Sequence, residues 1–190
     1  MGLTLIKALT ASGSASLDFV DGASDVVMDN TYNEYQFYFV NLHPEENGKD
    51  FGFQVNATDD AGGGYDTSQI TSTHFRAYHA ENGTGGQMEY RTGAAQANGT
   101  GYQLLQEWVG ATDGSADDNG ISGTLTLYDP SSTTYVKHFV ATTQSMYDTT
   151  STYNGFTGGY INDTTAIDEI SFKMSSGNID AGTIYMYGVS

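Results

Sequence analysis

Apolar residues recur at every second position along most of this chain. The stretch Glu34–Leu42 reads Glu-Tyr-Gln-Phe-Tyr-Phe-Val-Asn-Leu. Tyr35, Phe37 and Phe39 share one face there, because successive side chains of a strand point to opposite sides. Phe51, Phe53 and Val55 repeat the pattern. In Thr71–Ala80 the same period puts Thr73, Phe75 and Ala77 on one face and His74, Arg76 and Tyr78 on the other. Further strands are predicted over Tyr102–Val109, Ile121–Tyr128 and Tyr135–Thr142. Near the end, Ile170, Phe172 and Met174 alternate with Ser171 and Lys173, and a last strand covers Thr183–Val189. The breaks between these runs carry turn chemistry: the glycines within Asp59–Asp66, Glu81-Asn82-Gly83, Asp129-Pro130-Ser131-Ser132, and Ser176-Gly177-Asn178.

Helical periodicity is weak. Ser68–Ala80 and Ala94–Glu107 come nearest to it, but the first is rich in Thr and aromatics, and Gly99 and Gly101 break the second. No linker, charge block or fixed-period repeat divides the chain. The expectation is one domain over residues 1–190, an all-β, antiparallel, jelly-roll-like β-sandwich of roughly eight to ten strands. A single open sheet would leave too much aromatic surface in water.

Composition supports that picture and narrows the function. Of the 190 residues 38% are hydrophobic and 13% aromatic, enough for one core and too many for a disordered chain. The net charge is −17, from 6 Lys+Arg against 23 Asp+Glu. Such a chain is a poor partner for nucleic acid, which needs cations against phosphate, and for an anionic membrane surface. The charge is best tolerated at high ionic strength, where screening is short-ranged. With no Cys, disulfides, thiolate metal sites and Cys nucleophiles are excluded. No run is long enough for a transmembrane helix. The brief apolar piece Leu3–Leu9 falls short of a signal peptide, so synthesis and retention in the cytoplasm are expected.

Catalytic signatures are missing. His43, His74, His79 and His138 show no metal-ligand spacing. The G-x-S-x-G elbow is absent, and among 23 acids any carboxylate pair could be nominated. No catalytic residue, cofactor site or metal site is assigned, and a non-enzymatic protein is expected. Two acidic glycine-rich loops, one with Asp59, Asp60 and Asp66 and one with Asp113, Asp117 and Asp118, have the oxygen donors that Ca²⁺ takes, without the EF-hand order. Solvated turns are the simpler reading. Trp108, the single tryptophan, and exposed tyrosines have the chemistry to stack on sugar rings. Tyr185 and Tyr187 are expected to line a second face, under another sheet or against a neighbouring subunit. Asn56, Asn82, Asn98 and Asn162 match the N-x-[ST] pattern, which a chain rich in Asn, Ser and Thr produces by chance.

Three stretches carry a resemblance. Ile170–Val189 contains Ser-Gly-Asn-Ile-Asp-Ala-Gly-Thr-Ile followed by Tyr-Met-Tyr-Gly-Val. It resembles the closing strands of a group of bacteriophage virion structural proteins, especially from marine phages, which often end in SGNIDAGTI-x-LYGI. Ser12–Asp21 and Asp129–Phe139 look like further parts of the same group. This chain departs from it with Met186 where Leu is common and with a trailing Ser190. The resemblance implies a jelly-roll-like fold and a place in the virion. The expected role is a capsid decoration (cement) protein on the particle exterior, bound to the major capsid protein or other virion proteins. A homo-oligomer is expected, with a trimer favoured because closed symmetry suits local threefold positions. The alternative is a tail-associated domain that binds a host surface glycan.

Overall fold

The computed structural model describes residues 2–59, 65, 68–111, 119–147 and 150–190, with Tyr147 described by its backbone alone. These residues form twelve strands and no helix. The strands are β1 (Leu3–Thr10), β2 (Leu17–Val20), β3 (Glu34–Pro44), β4 (Lys49–Ala57), β5 (Ile70–Ala80) and β6 (Gly86–Tyr90). They continue as β7 (Gln103–Val109), β8 (Gly120–Tyr128), β9 (Lys137–Tyr147), β10 (Ser151–Ile161), β11 (Ile167–Met174) and β12 (Ile179–Val189).

All pairings are antiparallel. The large sheet runs β1-β12-β3-β8-β9-β10-β5-β6 and the small one β2-β11-β4-β7. Eight strands make a jelly roll, in which the chain passes back and forth between the layers: β1-β12-β3-β8 faces β2-β11-β4-β7. The other four are two hairpins, β5-β6 and β9-β10, which prolong the large sheet beyond β8 as a wing. The fold therefore meets the sequence expectation, with a wing added.

The core lies between the jelly-roll layers and is aromatic. Tyr35, Phe37 and Phe39 of β3 point inward with Phe51 and Phe53 of β4, as their alternation requires. Phe172 of β11 is its centre, with ring centroids 5.3 Å from Phe37 and Phe39 and 6.1 to 6.4 Å from Phe19, Phe51 and Phe53. Two of the stretches that carried the resemblance meet in space. Ser14 and Ile179 exchange backbone hydrogen bonds, and Ala11 donates to the Gly182 carbonyl. Gly182 has φ +104° and lies directly against the Asn41–Leu42 backbone, where a side chain would collide.

Several elements differ from the sequence pattern. Ser68–Ala80 and Ala94–Glu107 hold no helix; they contribute β5 and β7. β1, β2, β6 and β10 lie outside the runs read as strands from the sequence, and the strand predicted over Tyr135–Thr142 runs instead from Lys137 to Tyr147. β10 in particular reads Ser-Thr-Tyr-Asn-Gly-Phe-Thr-Gly-Gly-Tyr-Ile. Its glycines admit close neighbours: a Cβ on Gly155 would lie 2.9 Å from Thr143 Oγ1 and 3.1 Å from the Leu105 carbonyl of β7.

Candidate functional site

Part of the wing reverses the usual polarity of a sandwich, although Ile70, Phe139, Ala141 and Ile161 of its strands pack in the core. On β5 the side turned toward β7 carries Ser72, His74 and Arg76, all buried, while Phe75 on the opposite side is exposed. The buried side is an organised polar layer. Ser72 Oγ donates to Gln103 Oε1 at 2.6 Å, His74 Nδ1 meets Thr157 Oγ1 at 2.8 Å, and Thr143 Oγ1 lies 2.8 Å from Gln106 Oε1. Burial pushes the His74 imidazole below its ordinary pKa; the nearby Arg76 and Arg91 charges act in the same direction and Glu107 opposes them.

Arg76 anchors this layer. It is 3% exposed. Its Nη2 lies 2.6 Å from Glu89 Oε1 on β6, and its Nη1 lies 3.6 Å from Glu107 Oε2 on β7. Its guanidinium sits 4.3 Å from the Trp108 ring and 4.9 Å from the Tyr153 ring, distances at which a cation is attracted to the aromatic face. Arg91 completes the cluster: its Nε donates to Glu107 Oε2 at 2.7 Å and its Nη1 lies 3.4 Å from Glu89. The Glu107 hydrogen bond raises the Arg91 pKa against the effect of burial. Trp108 reaches this position through an irregular backbone. It has φ +56°, the β4-β7 register shifts beside it, and its N–H donates to Asp50 Oδ1 at 3.0 Å. A bulky residue with positive φ is strained, and a shift of register re-aims a side chain. The cluster's charges are paired within it, so its evident role is to fasten β5, β6 and β7 together.

The other side of the large sheet is the opposite case. Cross-strand register defines its rows. One runs Tyr90, Phe75, Phe156, Thr142, Thr124, Tyr38, Tyr185 and Ala8 from edge to edge. Flanking rows hold Val140 and Tyr187 on one side and Met88, Gln144 and Val40 on the other. Phe75 and Phe156 stack at 5.0 Å, and Tyr38 meets Tyr187 edge-on at 5.3 Å. Leu3, Leu5, Val40, Phe75, Met88, Tyr90, Tyr128 and Val140, eight of the ten exposed large apolar side chains among the described residues, project from this face. Among the described residues its cross-strand rows carry one carboxylate, Glu34 at the margin, and no Lys or Arg. Protein interfaces have this composition: charge-depleted and rich in aromatics and Met.

A cleft of about 330 Å³ opens at one end of the face, lined among others by Asn41, His79, Ser122, Gln144, Met146 and Thr152. Its lining is mostly neutral, with Glu81 as its carboxylate.

The remaining sequence candidates are dispersed. Tyr185 and Tyr187 lie on the charge-poor face. Trp108 is in the arginine cluster and not on that face. His43 is half-buried in β3, His79 lines the cleft, and His138 stands beside Tyr160 on the face. Asp59 accepts a hydrogen bond from Thr165 Oγ1 at 3.2 Å. Asp60, Asp66, Asp113, Asp117 and Asp118 lie outside the described residues. Among the described residues, no three His, Cys, Asp or Glu side chains come together as a metal-binding group. Asn56 is buried on β4, whereas Asn82, Asn98 and Asn162 are exposed. Sequence reasoning missed the arginine cluster and the wing's polarity. The one available signal was β5, where His74, Arg76 and Tyr78 share a face that could equally have faced water.

The class defined by this architecture is a winged jelly-roll sandwich with an exposed, charge-poor sheet face. Compared with protein families, curated proteins and solved structures, the chain finds no match.

Proposed function

We propose that this protein is a non-enzymatic structural protein of a bacteriophage particle, exposed on the exterior, and that it is a capsid decoration protein. The single observation that carries an assembly role is the outer face of the large sheet. A chain with a net charge of −17 keeps charge off one broad surface and crowds it with Phe75, Phe156, Tyr38, Tyr185 and Val140. Water-exposed aromatics in that arrangement gain most when another apolar surface covers them. The resemblance of the closing strands to phage virion proteins supplies the setting. The partners are the major capsid protein, other virion proteins and further copies of this chain.

Quantitative mass spectrometry of purified particles tests the reading. Hundreds of copies per particle, in fixed proportion to the major capsid protein, are expected. Absence from clean particles overturns it.

The cleft, in which amide and hydroxyl groups stand beside apolar surface, supports a second reading, a tail-associated domain that binds a host glycan. Amide and hydroxyl groups of Asn41, Ser122, Gln144 and Thr152 are suited to sugar hydroxyls. Selective binding on a glycan array, with only a handful of copies per particle, would favour it.

A further inference from the structure

We infer that the outer face of the large sheet is a self-association surface, on which two copies of the chain pack sheet against sheet about a twofold axis. The inference rests on the reading of that face as the assembly surface and names its occupant.

Charge is the first argument. Two copies, each at −17, repel one another over most of their surfaces. Among the described residues the carboxylates at the large-sheet face are Glu34 at its margin and Glu81 at the cleft, so two copies can meet there with little carboxylate buried. Shape is the second. Seven inter-strand spacings and five side-chain rows give a face of roughly 34 by 27 Å, about 900 Å². A stable interface needs about 800 Å² from each partner. Symmetry is the third. A broad face that meets itself forms an isologous contact, which closes with two copies. Aligned packing of two twisted sheets would interdigitate the Phe75–Phe156 pair and Val140 with their counterparts. A dimer is therefore the unit this face argues for, in place of the trimer that threefold positions on a shell suggest.

Sedimentation velocity on the purified full chain, from low to high micromolar concentration, tests it. A species of twice the monomer mass is expected. Its dissociation constant should tighten as salt rises, because salt screens the repulsion outside a contact that holds no ion pairs. Val140→Glu places two carboxylates near the centre of the contact and should weaken dimerisation at least a hundredfold. Val140 is 52% exposed, so the variant should melt cooperatively, with the wild-type midpoint at concentrations where the wild type is monomeric. Ala15→Glu, exposed in the β1–β2 connection outside the face, should dimerise like wild type. A wild-type monomer throughout, or a dimer indifferent to Val140→Glu, overturns the inference. Co-sedimentation with particles stripped of this chain separates that failure from failure of the assembly reading. A monomer that rebinds particles, and loses binding in Val140→Glu, removes the dimer and keeps the assembly role. A monomer that rebinds nothing removes both.

Discussion

Arg76→Met tests the fastening of the wing. Methionine keeps an unbranched stem against Trp108 and Tyr153 and removes only the charge. Glu89 and Glu107 are then left to share Arg91, which lies 2.7 Å from Glu107 but 3.4 Å from Glu89. Breaking a buried ion pair from one side costs about 3–5 kcal/mol. Glu89 keeps some contact with water, 24% of its side chain, so the expected loss is at the low end, about 3 kcal/mol. That is a large part of the roughly 5–15 kcal/mol that holds a domain together. At about 2–4 °C per kcal/mol for a chain of this size, Tm should fall by about 6–12 °C. Urea unfolding and calorimetry give the magnitude. Hydrogen exchange gives its location: protection should fall in β5, β6 and β7 and hold in β3. Glu107→Gln should cost less, about 1–2 kcal/mol, because both arginines retain Glu89. The double variant should show a coupling above about 1 kcal/mol, since the two groups share one network. Burial works against the Glu89 carboxylate, yet its bonds to Arg76 and the charges of Arg76 and Arg91 outweigh burial and hold its pKa below the ordinary 4.5. Its contribution is therefore present above pH 4.5 and is lost as pH falls through the depressed folded value. Arg76→Met should flatten that acid limb. A variant within about 0.5 kcal/mol of wild type, or a coupling near zero, would refute the fastening argument.

Other outcomes follow from the same geometry. His74 has a folded pKa below 6.5, so the unfolded chain binds the extra proton; stability should be full above pH 6.5 and fall as pH drops below it. His74→Gln should remove that slope, read by urea midpoints across pH. Gly155→Ala drives a methyl into Thr143 and the β7 backbone and should cost about 1–3 kcal/mol by overpacking. Phe172→Ala removes the ring on which five others converge and should cost about 3–5 kcal/mol, measured by calorimetry. Deleting residues 183–190 takes Ile184 and Met186 from the core and exposes the edges of β1 and β3. No cooperative unfolding transition should remain, and a soluble, cooperatively melting product would count against the assigned role of β12.

Much of the jelly roll was legible in the sequence because its strands alternate strictly. Tyr35-Phe37-Phe39, Phe51-Phe53-Val55 and Ile121-Gly123-Leu125-Leu127 each place one apolar face in the core, and the structure buries those faces. The wing was not legible, for a physical reason. Periodicity says which residues share a face and is silent on which face turns inward. In β5 the two candidate faces were Thr73-Phe75-Ala77 and His74-Arg76-Tyr78, and hydrophobicity alone would bury the first. The structure buries His74 and Arg76 of the second and leaves Tyr78 half-buried, since Glu89, Glu107, Trp108 and Tyr153 come from three other strands to satisfy Arg76. Those partners are 13 to 77 positions away in sequence, where no local pattern can register them. β10 escaped for a different reason: its glycines are required by neighbours on both sides, and glycine carries no hydrophobic signal.

The inverted wing connects stability to assembly. A hairpin added to a sandwich could have shielded its aromatics beneath β7 and left its charges in water. Here the charged side is the one enclosed, at the energetic cost of desolvating two arginines and two glutamates. Covering the outward aromatics with a partner would bury both sides of the wing together. The arginine cluster then has a second consequence. By fastening β5, β6 and β7 it holds the Phe75–Phe156 pair at fixed positions, and a face held rigid loses less conformational entropy when a partner covers it. Arg76→Met should therefore weaken association through a face it does not touch, at temperatures where the variant is still fully folded. Unchanged association in a folded variant with a loosened wing would show that the two sides of the wing act independently.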